Sequence, residues 1–262
     1  MDIRDGRGTR DRFVLRIYPV GAIESEFCRR EAVALGLLAN SGIPAPGLLW
    51  SDPTGRVLGP PAMAITLMPG TPWRQTGRAS QWEQMAGTLA RIHAQPVSPK
   101  LERYRRAKLD NVVVDSALIS TVRREWAQPS HEAAVFLHGD YCMPNSLWRR
   151  GSLCAIVDWN FCRAGPPSVD VASLWLDAVL FGEPGSGRAV LQSYKASGGH
   201  QCADLRTYQL HAAALAQPML DRWLLAFRSV AKSELTLADL RVSLDHAIGE
   251  LLATGSSRRR WR

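Results

Sequence analysis

Three oxygen-bearing side chains stand out by type and spacing. Asp140 follows the apolar run Val135-Phe136-Leu137 and the pair His138-Gly139, Asn145 lies five positions further on, and Asp158 closes a second apolar run, Ala155-Ile156-Val157, ahead of Trp159. An apolar triplet ending in a polar group is how a buried strand delivers a side chain to a cleft at its end. Moving a phosphoryl group off a nucleotide needs a carboxylate to orient and deprotonate the acceptor hydroxyl, and oxygen ligands to hold Mg²⁺ on the phosphates. Mg²⁺ prefers hard oxygen donors in near-octahedral geometry, so the amide oxygen of Asn145 and the carboxylate of Asp158 suit it, whereas the nearby cysteines do not. A lone aspartate after a strand is more often a cap or turn residue. It is the combined spacing that argues for a site.

The elements that must position these groups can be read from periodicity. Residues 13–18 form a β-branched and aromatic run ended by Pro19, and residues 1–4 are expected to pair with it across the turn DGRGTRD. From 24 to 40 the apolar positions Phe27, Ala32, Leu35, Leu38 and Ala39 recur at helical spacing, and Ser41-Gly42 with Pro44 and Pro46 ends the helix. Residues 47–50 and 62–68 read as strands around the turn Asp52-Pro53-Thr54-Gly55. The break Pro69-Gly70-Thr71-Pro72 is the expected boundary between an amino-terminal lobe, 1–68, and a carboxy-terminal lobe, 69–262. Beyond it, 81–94 is helical with Trp82, Met85, Leu89 and Ile92 on one face, and 168–250 is mostly helical, interrupted at 182–187 and 198–199. The order gives an α+β chain with a small antiparallel sheet followed by helices. No internal repeat is present.

Protein kinases supply their catalytic Asp, an Asn five positions on and a metal-binding Asp at the end of a strand in this same order. With His138-Gly139-Asp140, Asn145, Asp158-Trp159, Gly165-Pro166 and Asp170, the sequence resembles the aminoglycoside phosphotransferase family of small-molecule kinases. Residues 14–16, Arg29-Arg30-Glu31, 42–46 and the helix around Leu89-Ala90-Arg91-Ile92-His93-Ala94 extend the resemblance over roughly residues 13 to 180. It implies a two-lobed protein-kinase-like fold, with Asp140 as catalytic base and Asn145 and Asp158 as Mg²⁺ ligands. Leu67 and Met68 would offer hinge backbone groups to the adenine of ATP or the base of GTP. His138 would brace the catalytic loop, Asp170 would bond its backbone amides, and Trp159 would be core. His93 reads as a packed helical histidine. The family usually places a lysine on its third strand, paired with a helix glutamate; here Arg16 takes that place with Glu31 as the expected partner. Arginine keeps the charge, but its planar fork is not a point ammonium. A first strand and a glycine loop over the phosphates are expected to be missing, since Gly6 and Gly8 fall in the following turn.

Composition narrows the alternatives. The chain has 262 residues, of which 46% are hydrophobic and 21% charged, which excludes a disordered chain, and no apolar run reaches the ~18 residues of a membrane span. The charged amino terminus lacks a secretory apolar region and the five cysteines form no CxxC pair, both of which point to the cytoplasm. The net charge of +8 invites nucleic acid as a partner, but it divides as +6 over residues 1–130, −2 over 131–250 and +4 in the last twelve. That places the carboxy-terminal excess in the segment 255–262, which reads as a solvated basic tail. The expected partners are therefore a nucleotide and a small-molecule hydroxyl. The expected acceptor is an aminoglycoside or another metabolite alcohol; a mildly acidic carboxy-terminal half fits a polycationic antibiotic poorly, which leaves sugars, homoserine-like and choline-like alcohols open beside it. A non-catalytic nucleotide-binding protein is the competing reading, and neither the acceptor nor the oligomeric state is legible.

Overall fold

The computed structural model describes residues 2–4, 10–73, 79–106, 116–126, 130, 132–230 and 235–257. Strands β1 (Asp2–Arg4) and β2 (Arg10–Ile17) pair antiparallel, with Asp2 opposite Arg12, as the hairpin expectation required. The turn holding Gly6 and Gly8 lies outside the described residues. Helix α1 (Ala22–Leu38) follows, then β3 (Leu48–Asp52) and β4 (Ala62–Thr66), giving a four-stranded antiparallel sheet of order β1-β2-β4-β3. Several boundaries move relative to the sequence: the helix starts and stops two residues early, β3 runs to Asp52, and β4 ends at Thr66 rather than 68. Helix α1 buries Cys28, Ala34, Leu35 and Leu38 in one core with Tyr18, Met63 and Ile65.

The next strand leaves this sheet. β5 (Thr71–Pro72) pairs with β7 (Ser146–Arg149), which is joined to β8 (Ser152–Ile156) by a turn in which Arg150 and Gly151 both take positive φ. Two such residues are what a tight hairpin turn with the right twist demands. Between β5 and β7 come α2 (Ala79–His93), α3 (Ser116–Trp126) and β6 (Val135–Leu137); β6 pairs antiparallel with β9 (Arg163–Gly165).

The rest is helical: α4 (Ser168–Phe181), α5 (Ser186–Ala196), α6 (Leu205–Ala216), α7 (Leu220–Val230) and α8 (Leu237–Ser257). A helix apolar all round must be buried, and α4 is the central one, packed against α2, α5, α6 and α8. It buries Val171, Leu174, Trp175, Leu176, Leu180 and Phe181, and among them Asp170 and Asp177. The expected basic tail needs correction at its start, because α8 runs through Ser257; Arg258 to Arg262 lie outside the described residues. No helix among the described residues is long and apolar enough to cross a membrane. The whole is an α+β architecture of small antiparallel sheets and packed helices.

Candidate active site

Strand β6 is fully buried, and the chain turns sharply as it leaves it. Gly139 holds φ 87°, and a Cβ there would stand 2.1 Å from the Phe161 carbonyl oxygen, so the glycine between His138 and Asp140 is a steric requirement. The turn is fixed from within the core. Asp170, fully buried on α4, accepts the His138 N–H at 2.7 Å and the Gly139 N–H at 2.9 Å. His93 Nε2 lies 3.3 Å from the same carboxylate, and His93 Nδ1 lies 2.7 Å from the Tyr194 hydroxyl, which accepts the His200 N–H at 3.1 Å. The proton placement follows: His93 donates from Nε2 and accepts at Nδ1 from the tyrosine.

His138 is oriented in the same manner. Its Nε2 faces the Val157 carbonyl at 3.0 Å and must donate there, which leaves Nδ1 to accept the Asp140 N–H at 3.2 Å. A neutral imidazole of this tautomer satisfies both contacts. It therefore holds Asp140 against the strand that leads to Asp158. Trp159, fully buried, packs at 4.5 Å from the His138 ring and donates from Nε1 to the Ile156 carbonyl at 3.0 Å.

Asp140 and Asn145 are brought together by the short turn Met143–Asn145. Asn145 Nδ2 donates to the Asp140 carboxylate and to its carbonyl, each at 2.9 Å, so Oδ1 is the amide atom turned away. The Val157 N–H donates to the Asn145 carbonyl at 2.9 Å, which ties this turn to the end of β8. Asp158 then takes φ 67° and ψ 59°, a left-handed conformation that aspartate tolerates better than most side chains. Its carboxylate meets Arg16 from β2 in a short ion pair. The same guanidinium donates to both Glu31 oxygens, at 2.8 and 2.7 Å, confirming the expected partnership. Glu31 is 1% exposed; burial raises its pKa, opposed by Arg16 and by the Tyr18 hydroxyl that donates to it. Leu67 and Met68 follow β4, the first exposed and the second taking a 3.7 Å contact from the Thr66 hydroxyl at its Sδ.

Sequence reasoning missed three features. Tyr18, two residues after Arg16, completes the cradle of Glu31. Asp177 lies two turns after Asp170 on α4, the same face, and accepts the Met143 N–H at 2.6 Å. Burial lifts its pKa to about 7, opposed by that N–H and reinforced by Asp140. Its signal was legible as the second carboxyl in an otherwise apolar helix. The third is a cavity of about 420 Å³ beside Asp140 and Asn145, walled also by Cys142, Pro144, Ser173, Leu176, Asp177, Phe181, Ala212, Leu215 and Trp223. Its walls come from segments far apart in sequence, which periodicity does not connect.

A sequence model described as the phosphotransferase enzyme family matches residues 3–211. No curated protein matches the chain. Among solved structures, the macrolide 2'-phosphotransferase MphH from Brachybacterium faecium superposes with TM-score 0.61 at 16% identity, over 93% of this chain and 85% of its own. The GDP and kanamycin complex of APH(2")-IIia gives 0.61 at 17% identity, over 92% and 87%. APH(3'')-Id from Streptomyces rimosus, bound to ADP and streptomycin, gives 0.54 at 20% identity, over 81% and 88%. At these identities the structures show a shared fold.

Proposed function

The chain belongs to the phosphotransferase enzyme family, and we propose that it uses Mg²⁺ and ATP or GTP to phosphorylate a hydroxyl group of a small molecule. The observation that carries this reading is the joining of Asp140 to Asn145 at 2.9 Å, at the edge of a cavity that both residues line. Asp140 takes the role of base: it accepts the proton of the acceptor hydroxyl as that oxygen bonds to the γ-phosphorus. The bond from the γ-phosphorus to the bridging oxygen breaks, and the electron pair leaves with the nucleoside diphosphate. Asn145 keeps the Asp140 carboxylate aimed while its own Oδ1 faces elsewhere.

The donor set fits a hard cation. Asn145 and Asp158 offer an amide and a carboxylate oxygen, and among the described residues no three His, Cys, Asp or Glu side chains converge as a closed cage. That is the donor pattern of Mg²⁺, which keeps waters and takes phosphate oxygens beside one or two protein ligands. When bound, Mg²⁺ neutralises charge on the β- and γ-phosphates. Arg16 would keep Glu31 and turn its other nitrogen from Asp158 to phosphate oxygens, its fork serving both. Val14 shares a strand face with Arg16, and with the backbone of Leu67 and Met68 it would border the base. Residues 1–68 would thus hold the nucleotide, and 69–262 the acceptor.

Calorimetric titration with ATP and GTP tests the reading. The wild-type chain should bind at least one of them in Mg²⁺ and far more weakly in EDTA, and Asp158→Ala should abolish the difference. Undiminished Mg²⁺-dependent affinity in Asp158→Ala would remove Asp158 as a metal ligand.

A further inference from the structure

The wall of the cavity beside Asp140 has a composition that bears on the acceptor. Helix α4 supplies Ser173, Leu176, Asp177 and Phe181, one face of the helix, while α6 supplies Ala212 and Leu215 and α7 supplies Trp223. Apart from the Asp140 and Asn145 end, the surface is made of aliphatic and aromatic carbon with one hydroxyl and one carboxyl set into it. At about 420 Å³ the cavity falls in the lower part of the ~300–1,000 Å³ range of small-molecule sites.

The lone carboxyl is Asp177, 9% exposed. Its Oδ2 accepts the Met143 N–H at 2.6 Å, and among the described residues Oδ1 has no hydrogen-bond partner. Oδ1 is not sealed in the core, so it can be reached from the cavity that Asp177 lines, and a largely buried carboxyl with no counter-charge beside it favours a cationic partner. One ammonium group would supply that partner. Several would go unmatched, because the described lining holds only one other carboxylate, Asp140, which is committed to the reacting hydroxyl. Each further ammonium group brought against Leu176, Phe181, Leu215 and Trp223 would lose its water shell with no carboxylate to replace it. Charge elsewhere does not offset this, since residues 131–250 sum to only −2.

We propose that the cavity selects a compact alcohol with an apolar body and a single amine. Its reacting hydroxyl lies at Asp140, its amine at Asp177 Oδ1 and its body against the wall formed by Leu176, Phe181, Leu215 and Trp223. This rests on the phosphotransfer reading for the position of the hydroxyl, and it sets polycationic sugars aside as acceptors. Ser173, one turn before Asp177, tunes the same polar spot.

Ligand-detected NMR titration of the full chain with four probes tests the selection. 2-Amino-1-phenylethanol carries the hydroxyl, the amine and an apolar ring; 2-phenylethanol lacks the amine; glucosamine and 2-deoxystreptamine keep amines and hydroxyls on a polar body. The amino alcohol should bind at least tenfold more tightly than glucosamine or 2-deoxystreptamine. Asp177→Asn should lower its affinity to that of 2-phenylethanol, and Trp223→Ala should weaken both aromatic probes. A reversed or equal ranking, no binding of the amino alcohol, or an unchanged affinity in Asp177→Asn overturns the proposal. The ranking on the wild-type chain decides even where a variant does not fold. Mg²⁺-dependent binding of ATP and GTP, measured on the same wild-type sample, separates the two claims. Its absence strikes the phosphotransfer reading, whereas a wrong probe ranking beside intact nucleotide binding strikes only the acceptor.

Discussion

The two sides of the candidate site are held by opposite means. On the sheet side, Arg16 spans Glu31 and Asp158, a chain of full charges whose inner end, Glu31, is buried and whose outer end is open: the Arg16 and Asp158 side chains are 29% and 33% exposed. On the helical side, Asp170 and His93 are sealed from solvent, and the carboxylate is spent on two backbone amides and a ring nitrogen. A half-exposed ion pair can exchange a partner at modest cost, because water replaces whatever leaves. A buried carboxylate bonded to backbone cannot, because each abandoned N–H costs ~1–3 kcal/mol. The difference separates groups that must re-pair when substrate arrives from groups that must stay in place.

Removing the buried brace should produce the largest stability effect. Asp170→Ala strands the His138 and Gly139 amides, and a loss of about 3–5 kcal/mol is expected in urea unfolding, with Asp170→Asn intermediate because its amide group offers a single acceptor oxygen. A loss under about 1 kcal/mol would show that the loop is held by other contacts.

Two further buried groups sharpen the comparison through pH. Asp177 is lifted by burial from 3.8 to about 7, so between those values the folded chain holds a proton that the unfolded chain has released. Stability should therefore fall as pH rises through this window, by at most about 4 kcal/mol, and Asp177→Asn should flatten that slope. His211 has the opposite sign. Burial, aided by Arg106, lowers it from 6.5 to about 4 where it stacks on Trp126 at 4.0 Å, so stability falls as pH drops from 6.5 towards 4. Its upper limit is about 3 kcal/mol, and His211→Gln should remove this acid limb alone. Chemical denaturation from pH 4 to 8 measures both.

The smallest effect belongs to the surface. Arg29 bridges Glu26 and Glu102 at 2.6 Å each, with its side chain 46% exposed. Arg29→Ala should cost less than about 1 kcal/mol and vanish in high salt. A cost matching that of the buried brace would erase the distinction between the two sides.

Local signals carried much of this arrangement into the sequence. The apolar runs before Asp140 and Asp158, the five-residue step to Asn145 and the β-branched run around Arg16 each depend on neighbours along the chain, and the strands and helices that hold them were readable for that reason. The pairing of Arg16 with Glu31 followed from resemblance, not periodicity. The hairpin of β7 and β8 was missed although Arg150-Gly151 marks its turn, because the short strand Ser146–Arg149 carries no clear alternation. Helix α3, which ends in a cluster of charged residues, also escaped notice. The cavity was hidden by distance: α4, α6 and α7 meet there only after the helices pack, so that Asp177, visible in the sequence as a second carboxyl in an apolar helix, could not be linked to Asp140.

The central claim is that Asp140 is the base of a phosphoryl transfer. ³¹P NMR of the chain with Mg²⁺ and its preferred nucleotide, with and without 2-amino-1-phenylethanol, follows γ-phosphoryl loss to the acceptor or to water in one experiment. Asp140→Asn keeps the side-chain volume and removes the base, so turnover should fall by about 10²–10⁴-fold while calorimetry shows nucleotide affinity within a few-fold of wild type. Turnover equal to wild type in the folded Asp140→Asn chain would contradict the account.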